Sequence, residues 1–510
     1  MQQAQPVVKD LVLIGGGHSH AIALKLFGMK PLPGVRLTLI TPQSYTSYSG
    51  MLPGHVAGFY DFDQCHIDLR PLAHFAQAQL LLDRAIGLDL KNDRVICAHH
   101  PDVAFDLLSL DIGSTPATTS IPGAMAHTIP IRPVDQFLAH WHQIVERVTQ
   151  APEKPLRLGL IGGGAGGVEL ALAMQYRLQQ IFKAEGQPST KVEIHLFHRG
   201  VELMAATHNQ WTRQRFKEIL RQRGIKLHLE ETVTEVQEQA VVCESGLTVE
   251  CDRVFWVTQA SAAPWLREAG LATDEKGFVQ VQETLQSISH PQVFAAGDIA
   301  TIVNHPRPKA GVFAVREGKP LFHNLQRALL GKPLQGFKPQ KQYLSLISTG
   351  NQSAVASRGA FGFESRLLWY WKDRIDRKFV QRFTVLPDMS QGTHAQRIWY
   401  EIRSWFRRSQ PSQRSGSNGI TPPGGLINSK ALPDAAVLMR CGGCGSKISS
   451  NVLERVLSRI NLEQPDWVDQ DNILIGLNAA DDAAVVQVPA GQVMVHSLDY
   501  FRTMINDSFV

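Results

Sequence analysis

Two copies of one unit constrain this chain more than any other feature: a short apolar strand, a glycine cluster, a helix and a second strand. The first copy runs from Leu11–Ile14 through Gly15-Gly16-Gly17-His18-Ser19-His20 to a helical stretch at Ala21–Phe27 and a strand at Arg36–Ile40. The second runs from Leu158–Ile161 through Gly162-Gly163-Gly164-Ala165-Gly166-Gly167 to a helix at Val168–Leu178 and a strand at Val192–Phe197. Such a unit suits a dinucleotide for three physical reasons. One glycine permits the tight turn, a second lets the backbone approach a diphosphate, and the helix N-terminus offers N–H groups and the positive end of its dipole. Two copies imply two parallel, mononucleotide-wrapping sheets in one α/β chain.

The copies differ in detail. Gly162, Gly164 and Gly167 fill all three glycine positions of the second loop. In the first, Gly15 and Gly17 are in place, with His18 and Ser19 as further candidate cofactor-binding residues of the loop, but His20 stands where the third glycine would be. That predicts a helix packed slightly farther from its strand. The second strand of the first unit ends in Thr41-Pro42 rather than the acid that usually holds an adenosine ribose, and the group replacing it stays open. The matching strand of the second unit ends Phe197-His198-Arg199. Arg199 can accommodate a 2′-phosphate, which keeps NADPH as open as NADH; a solvated arginine is the alternative.

A length of 510 residues predicts about three or four domains. The 44% hydrophobic and 19% charged shares are those of a soluble globular protein. A net charge of +5 over this length argues against a nucleic-acid partner. Cys65, Cys97, Cys243 and Cys251 are scattered and only Cys441 and Cys444 lie close together, which fits a reducing, cytoplasmic compartment. The polar N-terminus shows no signal peptide. Leu158–Met174 approaches the length of a membrane span, but its six glycines and Glu169 make it a strand–turn–helix. Downstream, Val293–Asp298 reads as a buried strand ending in a Gly-Asp turn, and residues of about 335–390 as a small aromatic-rich mixed unit. From Arg407 to about Ala436 the chain turns to Ser, Gln, Gly, Pro and Arg, a linker composition. Just before it, Ile398, Trp399, Ile402, Trp405 and Phe406 share one helical face among Arg397, Arg403, Arg407 and Arg408. Such a face can lie on the inner face of an anionic membrane or dock on its own domain.

Together these features resemble the pyridine nucleotide-disulfide oxidoreductase superfamily over residues of roughly 8–390. Gly162–Ala171 (GGGAGGVELA) looks like the NAD(P)H loop of type II NADH dehydrogenases. Leu108–Ser114 (LSLDIGS) with Ile121-Pro122-Gly123 resembles the first crossover between the two nucleotide domains, and Phe255–Gln259 (FWVTQ) the second, with Gln259 where glycine is usual. Val293–Ala300 (VFAAGDIA) resembles the second FAD signature, in which Gly297 and Asp298 would meet the ribityl chain. Arg307–Gly318 (RPKAGVFAVREG) resembles the start of the flavin-covering helix of type II dehydrogenases and sulfide:quinone reductases, bringing Lys309 and Gly311 to the flavin. The N–H groups of that helix start would stabilise negative charge on the reduced ring. The resemblance implies two interleaved Rossmann-like domains, FAD at 1–120 and 265–330 and NAD(P)H at 121–264, then a small α+β unit at 331–406 and a linker at 407–436. No Cys-x-x-x-x-Cys or Cys-x-x-Cys lies near either loop, so electrons are expected to leave the flavin directly for a quinone, another small molecule or a protein. Hydride transfer needs alignment more than acid–base groups. The resemblance puts Glu169 near the nicotinamide; an ordinary helix-start acid is the other reading.

Thr46–Pro53 (TSYSGMLP), with Gly58-Phe59-Tyr60 and Ile67-Asp68-Leu69, resembles a subfamily found fused to, or encoded beside, selenide, water dikinase. Residues 440–448 read RCGGCGSKI. Alone, Cys441-x-x-Cys444 is half a zinc site, with His496 a distant candidate ligand, or a thiol pair. Its surroundings resemble the N-terminus of selenide, water dikinase (selenophosphate synthetase), as do Asp481–Val485 and Asp499-Tyr500-Phe501. By that resemblance Cys444 is the catalytic cysteine, Lys447 lowers its thiol pKa, and Asp482 and Asp499 hold Mg2+ ions that bridge ATP phosphates. Residues 437–510 would then open a PurM-like α/β domain whose other metal ligands lie beyond this chain, so that it makes no selenophosphate as given. The expected activity is FAD-dependent electron transfer from NAD(P)H to a small-molecule or quinone acceptor, with reduced selenium supplied to the dikinase as a further hypothesis. A peripheral membrane NAD(P)H:quinone reductase and a non-catalytic flavin-binding regulatory module are the alternatives, and a homodimer is compatible with either.

Overall fold

The computed structural model describes residues 8–387, apart from 117–120, 189–190, 206, 259 and 341, and beyond them only the backbones of three short strands. The chain falls into two units, Met1–Arg397 and Ile398–Val510.

Leu11, Val12, Leu13 and Ile14 are all buried, as expected of a strand covered on both faces and therefore parallel to its neighbours. They belong to β1 (Lys9–Ile14), which leads through the first glycine loop into α1 (His18–Met29) and on to β2 (Val35–Thr41), β3 (Gln79–Leu82) and β4 (Leu107–Leu110). β1 lies between β2 and β4, with Leu13 level with Leu39 and Ser109, and β3 pairs with the far side of β2. The second unit repeats the plan with β5 (Thr128–Pro130), β6 (Leu156–Ile161), α2 (Ala165–Ala184), β7 (Val192–His198), β8 (Lys226–Leu229) and β9 (Arg253–Trp256). Its parallel order is β5–β9–β6–β7–β8. β10 (Val293–Ala295) then returns to the first sheet beside β4, giving β10–β4–β1–β2–β3. In both sheets the strand order reverses beside the glycine-loop strand, the place where open α/β sheets bind ligands. The architecture is thus mixed α/β with two parallel Rossmann-like sheets. Both helices begin earlier than the apolar pattern suggests, because His18-Ser19-His20 and Ala165-Gly166-Gly167 are already helical.

The two loops differ at their third glycine position. A Cβ on Gly167 would stand 1.9 Å from the carbonyl oxygen of Gly162, so only glycine lets α2 settle on its turn. At the matching place in the first loop the buried imidazole of His20 fills the gap. Its Nδ1 lies 2.7 Å from the Gly15 carbonyl and must donate, leaving Nε2, 2.8 Å from Ser109 Oγ, to accept. Burial holds this ring neutral, its pKa pushed down to about 4.

α3 (Gly311–Leu329) packs along α1, with Gly318 against Ile22. The C-terminal part of this unit is an antiparallel sheet of β11 (Ser345–Ser348), β12 (Ala354–Arg358) and β13 (Phe361–Ser365), followed by α4 (Arg366–Thr384). Trp369, Phe379, Val380 and Phe383 of α4 join the core of the first sheet, while Ile347 and Val355 join that of the second. Two cores are therefore tied by one small unit. No described helix is long and apolar enough to cross a membrane.

In the second unit β14 (Ile473–Ile475), β15 (Ala483–Val488) and β16 (Gln492–Ser497) form an antiparallel sheet in that order. Part of the Asp481–Val485 segment lies in β15. Cys444, Lys447, Asp482, Asp499, the Ile398–Arg408 face and the 407–436 linker lie outside the described residues.

Candidate functional site

Both loops turn at a glycine in the left-handed region, Gly15 at φ +91° and Gly162 at φ +135°. Beyond the second turn the space is open: a Cβ on Gly164 or Gly166 would meet nothing within 4 Å. No described side chain caps α2, so its first N–H groups face that space. Gly162, Gly164 and Gly167 all lie in this turn and the helix start after it, and an open, uncapped helix start is what a diphosphate would need. Arg199 follows the end of β7, the strand next to the loop.

The first loop is answered by protein. Asp111, the residue after β4, is buried and lays its carboxyl on Gly17, where an added Cβ would stand 2.3 Å from Cγ. Oδ2 accepts the N–H of His20 at 3.0 Å, and the Ser19 N–H also donates to this carboxyl. Burial, with the Asp298 charge adding to it, pushes the Asp111 pKa up to about 7. In the sequence Asp111 is one residue of the crossover segment, and only the pairing of β4 with β1 brings it to the glycine loop.

Gly297, at φ +72°, faces Asp111 from the opposite side and donates its N–H to the buried Glu317 at 2.6 Å. Asp298 is ion-paired with Arg132 at 2.8 Å, and Arg132 also donates to Ser114. Gly311 opens α3 against Ser49, whose Oγ would be 2.8 Å from a Cβ there. Lys309 Nζ donates to the Ala300 carbonyl at 2.6 Å and to Thr301, over the ring of Phe278. Burial pushes its pKa down to about 8. His18 is neutral, held down to about 4 by burial. Its ring meets Tyr48 edge-on at 5.5 Å, and its Nε2 is enclosed without a partner.

Glu169, in the first turns of α2, is half-buried and accepts the Ser348 N–H at 2.6 Å. Burial lifts its pKa to about 7 against the pull of the Lys372 ammonium. Lys372 of α4 donates to the Gly50 carbonyl and pairs with Asp376 at 2.6 Å, and Asp376 accepts the phenol of Tyr48. Glu169 thus feels the charge of the Lys372–Asp376 pair, Asp376 is bonded to Tyr48, and the Tyr48 ring rests edge-on against His18. Sequence reasoning missed Arg132, Tyr48, Lys372 and Asp376. Nothing local marks them, since each acquires its partner through tertiary packing.

Among the described residues no three His, Cys, Asp or Glu side chains gather as metal ligands. Cys65, Cys97, Cys243 and Cys251 are free and buried, and burial raises their thiol pKa values, to about 12 for Cys65 and Cys251.

Residues 9–318 match the family model for pyridine nucleotide-disulphide oxidoreductases. Ferroptosis suppressor protein 1 of Xenopus tropicalis is 26% identical over 291 residues, 55% of this chain and 71% of that protein. The type II NADH:quinone oxidoreductase of Haemophilus influenzae is 23% identical over 327 residues, 59% of this chain and 71% of that protein. The solved sulfide:quinone oxidoreductase of Aquifex aeolicus superposes with a TM-score of 0.62 at 18% identity, covering 74% of this chain and 91% of that one, a likeness of fold.

Glu169 makes stability depend on pH with a definite sign. Its carboxyl is raised in the folded chain from 4.5 to about 7. The associated stability is complete below the lower value and is lost as pH rises through the upper one, on the order of 2 kcal/mol. Glu169→Gln keeps an acceptor for Ser348 but cannot ionise. Thermal melts should show the variant gaining on the natural chain between about pH 5 and pH 8. A difference that stays constant over that range would mean the carboxyl titrates normally.

Proposed function

The chain belongs to the pyridine nucleotide-disulphide oxidoreductase family, and we propose that it is a flavoprotein passing electrons from NAD(P)H through FAD to a quinone. The observation that carries this reading is the pair of glycine loops at two helix N-termini, with no disulfide or close thiol pair among the described residues. FAD suits the first loop, where Gly15, Gly17, the Gly297–Asp298 turn and the start of α3 converge. NAD(P)H suits the open second loop. When bound, the flavin supplies two-electron acceptance from a reduced nicotinamide and delivery of those electrons onward.

The chain's own residues position, polarise and hold protons. Arg132 fixes Asp298, leaving its carboxylate to accept from ribityl hydroxyls. The start of α3 presents N–H groups and positive dipole to a ring that becomes electron-rich on reduction. The enclosed Nε2 of His18 is a neutral polar contact for the same ligand. Reducing a quinone to a quinol consumes two protons with two electrons, and a carboxyl poised near neutrality can provide one. Glu169 has that property, and the Lys372 ammonium lies close enough to act on its charge. The quinone is supported by the name of the Haemophilus relative, and Arg199 supports NADPH beside NADH. Purified protein should be yellow, bleach anaerobically with one of the two nucleotides, and regain colour with a short-chain quinone. Glu169→Gln should slow that recovery roughly 100-fold while leaving bleaching nearly intact. A yellow protein that neither nucleotide bleaches would instead support the non-catalytic flavin module.

A specific observation also favours contact with a membrane, where quinones dissolve. The outer face of α4 exposes Leu367, Tyr370, Trp371 and Ile375 among Arg366, Arg374, Lys378 and Arg382, and no acid of that helix is exposed. Aromatic and basic residues on one face suit an anionic interface. The protein should float with anionic vesicles, and Leu367→Asp with Trp371→Asp should abolish flotation. Flotation that survives both substitutions would remove α4 from the contact.

For residues 437–510 the three motifs support the beginning of a selenide, water dikinase, with Mg2+ and ATP held by Asp482 and Asp499 once the domain is complete. A selenium species as electron acceptor rests on that tail alone. Brief alkylation at neutral pH should label Cys444 before the four buried cysteines, and Lys447→Ala should slow it about tenfold. Equal rates with and without Lys447 would argue against a catalytic cysteine–lysine pair.

A further inference from the structure

Asp111 sits where a diphosphate would have to go. Its Oδ2 holds the His20 N–H at 3.0 Å, and the Ser19 N–H is spent on the same carboxyl. A Cβ on Gly17 would come within 2.4 Å of both oxygens, and one on Gly297 within 2.5 Å of Oδ1. The carboxyl is therefore wedged between the first glycine loop and the Gly297–Asp298 turn, the two walls of the cleft. Every second and third N–H of α1 that could hold a phosphate already serves an anion built into the chain.

A buried carboxylate and a diphosphate cannot share these donors, because like charges at contact distance exclude joint ionisation. A neutral carboxyl can stay, and its O–H can donate to a phosphate oxygen. We propose that Asp111 is a proton-linked gate on the flavin site: FAD binds with this carboxyl protonated, so that wherever the carboxyl is ionised beforehand, each flavin that enters takes up one proton from solvent. The inference rests on the reading of the first loop as the FAD site.

The surroundings agree. From α1, His20 gives the carboxyl its backbone N–H while its ring points to Gly15 and Ser109, and both this ring and that of His18 are neutral, held down to about 4 by burial. From the turn after β10 comes Asp298, occupied by Arg132. From α3 comes Glu317, occupied by Arg307. Ser109 of β4 is engaged by His20. No ion pair to Asp111 occurs among the described residues. Its pKa already stands near 7, and a bound diphosphate adds negative charge that moves it higher. The sign follows. Below about pH 7 the carboxyl is protonated before FAD arrives and affinity is level; above it, each unit of pH weakens binding about tenfold until the bound form also ionises.

The test uses the full chain stripped of flavin and re-supplied with FAD, with affinity read from flavin fluorescence between about pH 6 and 8.5. Calorimetry at about pH 8 in two buffers of different ionisation enthalpy counts protons. The expected result is a Kd that is flat at low pH and rises about tenfold per unit above 7, with close to one proton taken up per FAD. Asp111→Asn should bind FAD as tightly at the upper end as at the lower and take up none. A natural chain with pH-independent affinity and no proton uptake overturns the proposal. So does an Asn variant that still takes up a proton, since another group would then be responsible. Should the variant not fold, the proton count of the natural chain decides alone. A chain that binds no FAD at any pH takes down the FAD reading of the loop, and this inference with it.

Discussion

The first turns of α1 and α2 leave N–H groups that no residue of the same helix can satisfy, and the structure is arranged around what answers them. A helix end favours an anion by only about 0.3–2 kcal/mol. Neither end could hold a dinucleotide alone. Each is therefore placed at the reversal of strand order in a parallel sheet, where a glycine turn brings more backbone to the same point. At α2 the glycines leave the space open, and Gly167 lets the helix press on the carbonyl of Gly162. At α1 the Asp111 carboxyl accepts the His20 N–H, and the His20 ring is bonded to the Gly15 carbonyl.

The small C-terminal unit gives the two sheets a common chemistry. Its hydrophobic residues divide between both cores. Its charged pair, Lys372 and Asp376, is nearly enclosed between the segment at Tyr48–Gly50 and the start of α2. Removing water there keeps Glu169 protonated near neutrality and keeps the Tyr48 phenol from ionising. The same helix turns its basic and aromatic side outward, so one element would support proton supply inside and membrane contact outside.

What could be read from the sequence was local. A strand, a glycine turn and a helix occupy some twenty consecutive residues, and Gly15, Gly17, Gly162, Gly164, Gly167 and the Gly297–Asp298 turn stand where the pattern put them. His20 was visible in place of the third glycine, and its ring bridges the Gly15 carbonyl and Ser109. What escaped depends on distant partners. Arg132 meets Asp298 across 166 residues, and Ser348 meets Glu169 across 179. Lys309 lay in a well-matched motif, yet its ammonium is drawn to the Ala300 carbonyl and the Phe278 ring, which no spacing announces. Asp111 was visible as a letter in the crossover segment, but its meaning depends on β4 lying beside β1.

The account's central claim is that the two loops have separate tasks, flavin at α1 and nicotinamide at α2. Its most direct test is flavin content and nucleotide-driven bleaching in two variants, Gly15→Val and Gly167→Ala, each of which puts a side chain where a carbonyl oxygen now stands. The account predicts that Gly15→Val is folded but colourless. Gly167→Ala should remain yellow, bleach with dithionite, and resist both NADH and NADPH. A Gly167→Ala chain that loses its flavin, beside a Gly15→Val chain that keeps it, would contradict the assignment of the loops.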